Sequence, residues 1–408
     1  MARFLVVALL FLLSFIMYLD RAAISTAKDL VSADLSLSNE RMGMVFGAFA
    51  LGYAIAQIPA GFLADRFGPR LALAGVVIAW SVFTSLTGMV RGFWALAAVR
   101  FLFGIAEAGA FPGSARAFFN WLPSQEHGRA NGVIFSGSRL GAALSFPILA
   151  WLMESVGWRP AFLLLGAPGI AWAAIWLAWF RDRPAAGPVL SAPAPASEDL
   201  PFTSVFRSRG MLLAMFQYFA GNFTFFICLS WMLPYLMEHY RLPRERAAWY
   251  SMAVLLVGAT AQWVAGYLVD ALYRSRFRAF SRRLPAMTGF LIAAAGLIAM
   301  NTMTTSLGAV ICFTIATFGA EMTISPSWAY CIDIGGRKSG AVSGSMNMIG
   351  NLGSFVSASV FPVFYRWTGS AAAYFGAAAA LNLASVAIWF AMRSPQLDRD
   401  GNRDHITR

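Results

Sequence analysis

Apolar stretches long enough to cross a bilayer recur from one end of this chain to the other, and few folds tolerate that. A hydrocarbon core of ~30 Å calls for about 20 apolar residues in helical form. No water enters it, so each backbone N–H and C=O must be satisfied within the protein. Only 12% of the 408 residues are charged and 59% are hydrophobic, against roughly 25% charged in soluble domains. The net charge of +12 does not signal a nucleic-acid partner. The bases punctuate the apolar runs, as in membrane loops, and do not gather on one face.

Hydropathy predicts an all-α membrane protein with twelve helices. The first six lie near 4–27, 42–64, 71–90, 94–118, 129–153 and 160–180. The second six lie near 211–237, 247–270, 285–303, 307–331, 340–364 and 371–392. Residues 1–180 are expected to form one six-helix bundle and 210–392 a second. Between them, 181–209 holds Pro184, Pro188, Pro193, Pro195 and Pro201 among Ala and Ser, a composition that reads as a cytoplasmic linker. Residues 393–408 read as a cytoplasmic tail. The bias of Lys and Arg between alternate loops puts both termini inside. The first run, behind Arg3, resembles a signal peptide but continues into Asp20 and Arg21, and reads as a retained helix. Cys228, Cys312 and Cys331 show neither disulfide nor metal spacing. No cofactor is implied. The many Trp and Phe residues read as mainly lipid-facing or interfacial.

The two sets of spans look like copies. Gln57, Gly61 and Asp65 recur as Gln262, Gly266 and Asp270, each 205 residues on. Glu107 and Pro112 recur as Glu321 and Pro326, at an offset of 214. Gly128, Gly132, Leu140 and Gly141 recur as Gly340, Gly344, Leu352 and Gly353, at an offset of 212. Three sets in order argue for duplication. Carriers built from repeats hold substrate between the halves and rock one against the other.

Four ionisable residues sit inside the early apolar runs: Asp20, Arg21, Arg100 and Glu107. A charge at bilayer depth costs at least ~2.5–3.5 kcal/mol on insertion scales, so such residues are rare and functional by default. Seven helical residues bring Glu107 to within about 20° of Arg100 and ~10.5 Å along the axis. Both therefore face one cavity without forming a tight pair. Arg100 is left to grip a carboxylate with its planar fork. Glu107, among Ala106, Ala108 and Gly109, is placed to take up and release a proton. Asp20, next to Arg21, is expected to share that role. The competing reading is four structural ion-pair partners.

The loop from Gly61 through Asp65, Arg66, Phe67, Gly68 and Pro69 to Arg70 resembles the signature loop of the major facilitator superfamily. There Gly61 permits close helix approach, Asp65 pairs across a gate, and Arg66 and Arg70 hold the cytoplasmic side. The second copy is degraded after Asp270. Tyr18-Leu19-Asp20-Arg21, with the run from Arg100 to Gly113, is similar to the anion:cation symporter family of that superfamily. That family includes bacterial sugar-acid/proton symporters, sialin and the vesicular glutamate carriers. Trp231 to Tyr235 and Asn347 to Gly353 fit its pattern too. The resemblance implies anion binding and proton coupling at Arg21, Arg100, Asp20 and Glu107, in a plasma (bacterial inner) membrane, by a monomer. Tyr53 and Gln57, one turn apart, are further candidates to meet the substrate, with Asn222, Tyr235, Asn347 and Asn351. Each suits interhelical hydrogen bonding equally well. The sequence departs from the family at Met17, where Asn is common, and at Arg139, a further cation open to three roles: meeting a second acidic group of the substrate, pairing with Glu321 or Glu107, or snorkelling to the membrane surface.

These residues point to import of a small organic anion with protons by alternating access. An exporter would carry a Gly-Pro signature in the fifth span, whereas Gly141 and Pro147 stand apart. An enzyme lacks support, since His127, His239 and His405 fall in expected loops or the tail and no nucleophile–base pair assembles. A sensor that binds the anion without moving it stays open at this stage.

Overall fold

The computed structural model describes residues 2–182 and 208–392, so most of the expected linker, and the tail, lie outside the described residues. The helices are α1 (Ala2–Thr26), α2 (Lys28–Asp34), α3 (Asn39–Thr87), α4 (Phe93–Glu107), α5 (Ala110–Trp121), α6 (His127–Val156) and α7 (Trp158–Trp179). Then follow α8 (Arg209–Ser230), α9 (Met232–His239), α10 (Arg244–Tyr273), α11 (Arg283–Met300), α12 (Ser306–Met322), α13 (Ile324–Gly335), α14 (Ser339–Thr368) and α15 (Ala372–Ala391). The fold is all-α.

Nine stretches of the described residues are long and apolar enough to cross a membrane. Two of them, Met44–Thr87 and Ser306–Ser357, run to 44 and 52 residues, about twice what one crossing needs. Each is interrupted where the sequence demands it. Gly68 breaks α3 with φ at 78°, a left-handed conformation that glycine alone adopts at no steric cost, and Pro69 follows it. The longer stretch breaks at Thr323 and again at the short turn Gly336–Lys338.

Proline explains two further breaks. Pro112 has no N–H to give the carbonyl of Ala108, and α4 stops at Glu107 before α5 resumes at Ala110. Pro326 stands in the same relation to Met322, where α12 stops. The repeated glutamates thus each lie at the end of a helix segment, one or two residues before an interruption.

The chain divides into two compact units. One takes the described residues of Met1–Leu122, Ile134–Gly187 and Gly335–Met348. The other takes those of Pro123–Val133, Pro188–Ile334 and Ile349–Arg408. Compared with a division at the linker, the units exchange two short segments, the starts of α6 and α14.

Glycine makes the exchange fit. Within the first unit Gly61 lies against the Gly340 carbonyl, and a Cβ at Gly340 would stand 2.7 Å from the Gly61 oxygen. One turn on, Gly344 would place a Cβ 2.7 Å from the Gln57 oxygen. The second unit repeats this: a Cβ at Gly266 would be 2.8 Å from the Gly128 oxygen, and one at Gly132 would be 2.6 Å from that of Gln262. Helix backbones approach this closely only where side chains are absent. Later glycines of the same two helices face elsewhere, Gly137 and Gly141 onto Phe11 and Phe15 of α1, Gly350 and Gly353 onto Tyr218 and Phe219 of α8.

The tryptophans divide between the interior and the surface. Trp80, Trp172, Trp176, Trp328 and Trp389 are among the largest fully buried side chains. Most of these indoles find acceptors inside, which removes the penalty for burying an N–H. Trp172 donates to the Leu9 carbonyl at 2.7 Å, Trp328 to the Tyr218 hydroxyl at 2.8 Å and Trp389 to Gln217 Oε1 at 3.2 Å. Trp94, Trp151, Trp249 and Trp367 remain exposed, as anchors at a bilayer surface would be.

Replacing Gly340 by valine is expected to force the two helices apart and cost about 1–3 kcal/mol. Gly75→Ala, where a Cβ meets nothing within 4 Å, should be neutral or slightly stabilising. Thermal unfolding followed by tryptophan fluorescence in detergent distinguishes the two.

Candidate functional site

The first unit gathers a set of charges with no parallel in an ordinary apolar core. Span one brings Asp20 and Arg21, α3 brings Phe49, Tyr53, Gln57 and Trp80, and α4 brings Arg100, Phe103 and Glu107. Arg21 donates to Glu107 Oε2 twice, from Nη2 at 2.8 Å and from Nε at 3.1 Å. The Glu107 side chain is fully buried, and that of Arg21 is 24% exposed. Among the described residues, Glu107 Oε1 has no hydrogen-bond partner. The expected neighbour of Arg21, the Asp20 carboxylate, points elsewhere. Asp20 and Arg21 are adjacent in a helix, so their side chains diverge by about 100°.

Asp20 is almost wholly buried, and neither of its oxygens has a hydrogen-bond partner among the described residues. It faces Glu107, Arg100 and the indole of Trp80 without completing a hydrogen bond to any of them. Arg100 is 2% exposed. Among the described residues its guanidinium forms neither an ion pair nor a hydrogen bond. It rests on rings instead, 4.4 Å from the Phe103 centroid and 5.1 Å from that of Phe49. Arg21 is ringed as well, by Tyr53 at 4.7 Å, Tyr18 at 4.8 Å and Phe49 at 5.0 Å.

Gln57 is fully buried, with both amide atoms lacking partners. Its repeat counterpart behaves differently: Gln262 donates to Glu321 Oε2. So the glutamine and glutamate that bond in the second unit are separate in the first, where an arginine has taken the glutamate. A groove of about 320 Å³ beside α1 and α7 also reaches Asp20. Its other lining side chains, Leu12, Ile16, Leu19 and Trp172 among them, offer an anion nothing.

The remaining expected residues are scattered. Arg139 is half-buried on α6, on the side away from Gly137 and Gly141. Asn347 is buried and belongs to the first unit; Asn351, one turn on, belongs to the second. Asn222 donates to the Tyr218 carbonyl at 2.8 Å and lies beside Gly350. Tyr235 stands in an aromatic cluster with His239, Tyr240, Phe313, Phe361 and Phe375.

In the signature loop, Asp65 accepts the N–H groups of Gly340 at 3.0 Å and Ala341 at 2.8 Å, the first turn of α14. Arg116 Nε stands 3.8 Å from the same carboxylate. A carboxylate suits a helix N-terminus, where free N–H groups and the dipole both favour negative charge. Asp270 does the same in its unit for Gly128 at 3.0 Å and Arg129 at 3.1 Å, the start of α6. Arg70 binds Asp182 through its backbone N–H at 2.9 Å and the Leu177 carbonyl through Nη2 at 2.6 Å. Arg66 is exposed, over the ring of Phe67.

His127, expected in a loop, is instead the buried first residue of α6. Its Nδ1 lies 3.5 Å from Asp333 Oδ1, and Arg282 Nε donates to Asp333 Oδ2 at 2.9 Å. Sequence reasoning also passed over Phe49 and Trp80. Phe49 had a signal, since Phe49, Tyr53 and Gln57 fall at successive turns of one helix face.

The pattern describing the Major Facilitator Superfamily matches residues 10–358. The chain belongs to that superfamily. It is therefore a membrane transporter and not an enzyme. A probable sulfoacetate transporter of Cupriavidus necator is 32% identical over 90% of this chain and 88% of its own length. The hexuronate transporter of Bacillus subtilis is 29% identical over the same shares. A probable L-galactonate transporter of Escherichia coli is 32% identical over 87% of this chain and 80% of its own length. These relatives fit the expected resemblance to anion:cation symporters. Among solved structures, the transporter FucP in an outward conformation matches with a TM-score of 0.76 at 13% identity, covering 96% of this chain and 99% of that one. The human organic anion transporter MFSD10 matches with a TM-score of 0.74 at 16% identity, covering 94% and 98%. At such identities the structures speak for the fold alone.

Glu107→Ala is expected to destabilise the protein by about 3 kcal/mol, because it strands a largely buried guanidinium. Glu107→Gln keeps an acceptor oxygen and should cost less. The order of their unfolding midpoints checks this.

Proposed function

We propose that this protein imports a small organic anion, a sugar acid or a related carboxylate or sulfonate, together with protons, by alternating access. The observation that carries the proposal is Arg100, which is buried in an apolar membrane protein with neither an ion pair nor a hydrogen bond among the described residues. A cation so placed stabilises an incoming anion strongly, because little water competes for either charge. The relatives named as transporters of sulfoacetate, hexuronate and L-galactonate handle acids of this kind.

Coupling follows from the second arginine. Arg21 is held by Glu107. A proton on Glu107 discharges that pair and frees Arg21 to turn its fork to the anion beside Arg100. Proton and anion then favour each other's binding, as reciprocity between linked sites requires. Asp20 takes the second proton, since a charged carboxylate without hydrogen-bond donors is expensive to bury. A monoanion moving with two protons carries net positive charge inward, worth ~2.3 kcal/mol per 100 mV of membrane potential. Gln57 and Tyr53 line the same side of α3 and supply polar contacts to the rest of the substrate. Asn222, Asn347 and Asn351 remain candidates for substrate hydroxyls. In this reading the protein sits in a bacterial inner membrane with both termini on the cytoplasmic side, and one chain suffices for the cycle.

Proteoliposome uptake of labelled sugar acids, short carboxylates and sulfonates under an inward proton gradient tests this. Wild type should accumulate at least one of them. Glu107→Gln should lose gradient-driven accumulation yet retain exchange of internal for external anion. Absence of uptake of every anion by folded wild type overturns the proposal. If Arg139 meets a second acidic group, Arg139→Gln should lower uptake of dicarboxylates about tenfold relative to monocarboxylates; an unchanged ratio removes it from the site.

A further inference from the structure

Two arginines from different helices share one aromatic ring. The guanidinium carbon of Arg21, on α1, lies 5.0 Å from the Phe49 centroid, and that of Arg100, on α4, lies 5.1 Å from it. The two cations are therefore within about 10 Å of each other. Like charges in a medium of low dielectric repel, and nothing on the Arg100 side neutralises this by direct contact. The negative face of an aromatic ring offsets part of the cost.

Phe49 is itself fixed. Its ring packs 5.5 Å from Phe103 and 5.7 Å from Tyr53. Its backbone carbonyl lies against Gly104, where the absence of a side chain lets α3 and α4 touch, and a Cβ there would stand 2.9 Å from the Tyr53 nitrogen. One turn earlier on α4, Arg100 reaches back to the ring thus anchored.

From this geometry we infer that Phe49 is the positioning residue of the anion site: it sets the spacing and aim of Arg21 and Arg100, so that both can grip one compact headgroup, a single carboxylate or sulfonate. The inference rests on the transport reading above and adds to it the group that organises the two cations. A headgroup accepting ~2.9 Å hydrogen bonds from each guanidinium can bridge two cations that lie no more than about 10 Å apart. Without the ring, Arg100 is free to turn to the carboxyl of Asp20, as Arg21 already does to Glu107. The site would then close on itself and exclude the anion. Phe49 need not touch the substrate to exert this effect. Tyr53 and Phe103 each contact one arginine and cannot substitute for a ring that contacts both.

The test compares Phe49→Leu, which keeps the apolar bulk, with Phe49→Trp, which keeps and enlarges the π face, in reconstituted full-length protein. The substrate is whichever anion wild type accumulates. Phe49→Leu is expected to raise KM about tenfold with kcat within twofold of wild type, and Phe49→Trp to stay within threefold of wild type in KM. In an Arg100→Lys background Phe49→Leu should add less than twofold, because the ring acts through the arginine. Should Phe49→Leu prove unstable, Phe49→Met gives the same comparison at similar volume. A KM that Phe49→Leu leaves unchanged, or a Phe49→Trp as impaired as Phe49→Leu, overturns the inference while the transport reading stands. Wild type that takes up no anion overturns the transport reading, and this inference with it.

Discussion

A backbone N–H buried away from water must find another partner, and the first turn of every helix exposes several. That constraint governs where this protein can begin a helix. Two helix starts, those of α6 and α14, are met by a carboxylate that accepts two N–H groups at once, Asp270 for one and Asp65 for the other. The carboxylates reach their targets only because glycines let the helix backbones come into contact. Gly61, Gly340, Gly128 and Gly266 are spacers whose value is the side chain they lack. Proline applies the same constraint in reverse. Pro112 and Pro326 open the helix a few residues after Glu107 and Glu321, so each buried acid sits beside a break in the backbone ladder.

Charge around Arg21 and Arg100 is arranged so that pairing is incomplete. Among the described residues, Glu107 satisfies Arg21 with one oxygen and leaves the other unbonded, Asp20 meets no donor and Arg100 no acceptor. A core selected for stability alone would pair these groups or replace them with apolar residues of similar volume. The corresponding place in the second unit is quieter, with Gln262 bonded to Glu321. Duplication supplied the same glutamine and glutamate to both copies, and Arg21 alters what the first copy can do with them. In the proposed import cycle, the anion and the protons supply the missing partners.

Much of this was legible in the residues. Apolar runs placed the helices, because a bilayer imposes both length and composition. The offsets between Gly61 and Gly266, and between Asp65 and Asp270, announced a repeat whose contacts are indeed the same twice over. What a sequence does not carry is which neighbour a side chain turns towards. Helical spacing put Arg100 and Glu107 on one face, yet adjacency in the chain suggested Asp20 for Arg21, where geometry chose Glu107. Phe49 was one of 35 phenylalanines in a chain where most aromatic residues have reason to face lipid. Only its distance from two arginines distinguishes it. His127 read as a loop residue because polar neighbours surround it in sequence. Its burial depends on Asp333 and Arg282, more than 150 positions away.

The exchanged helix starts bear on ancestry. Asp65 belongs to the first copy of the repeat and caps a helix of the second; Asp270 belongs to the second and caps a helix of the first. A chain holding one copy would possess an aspartate with no helix start to receive it and a helix start with no aspartate. Two such chains, side by side, would satisfy each other in both places. The arrangement suits a fold assembled from two copies, each completing a helix start of the other.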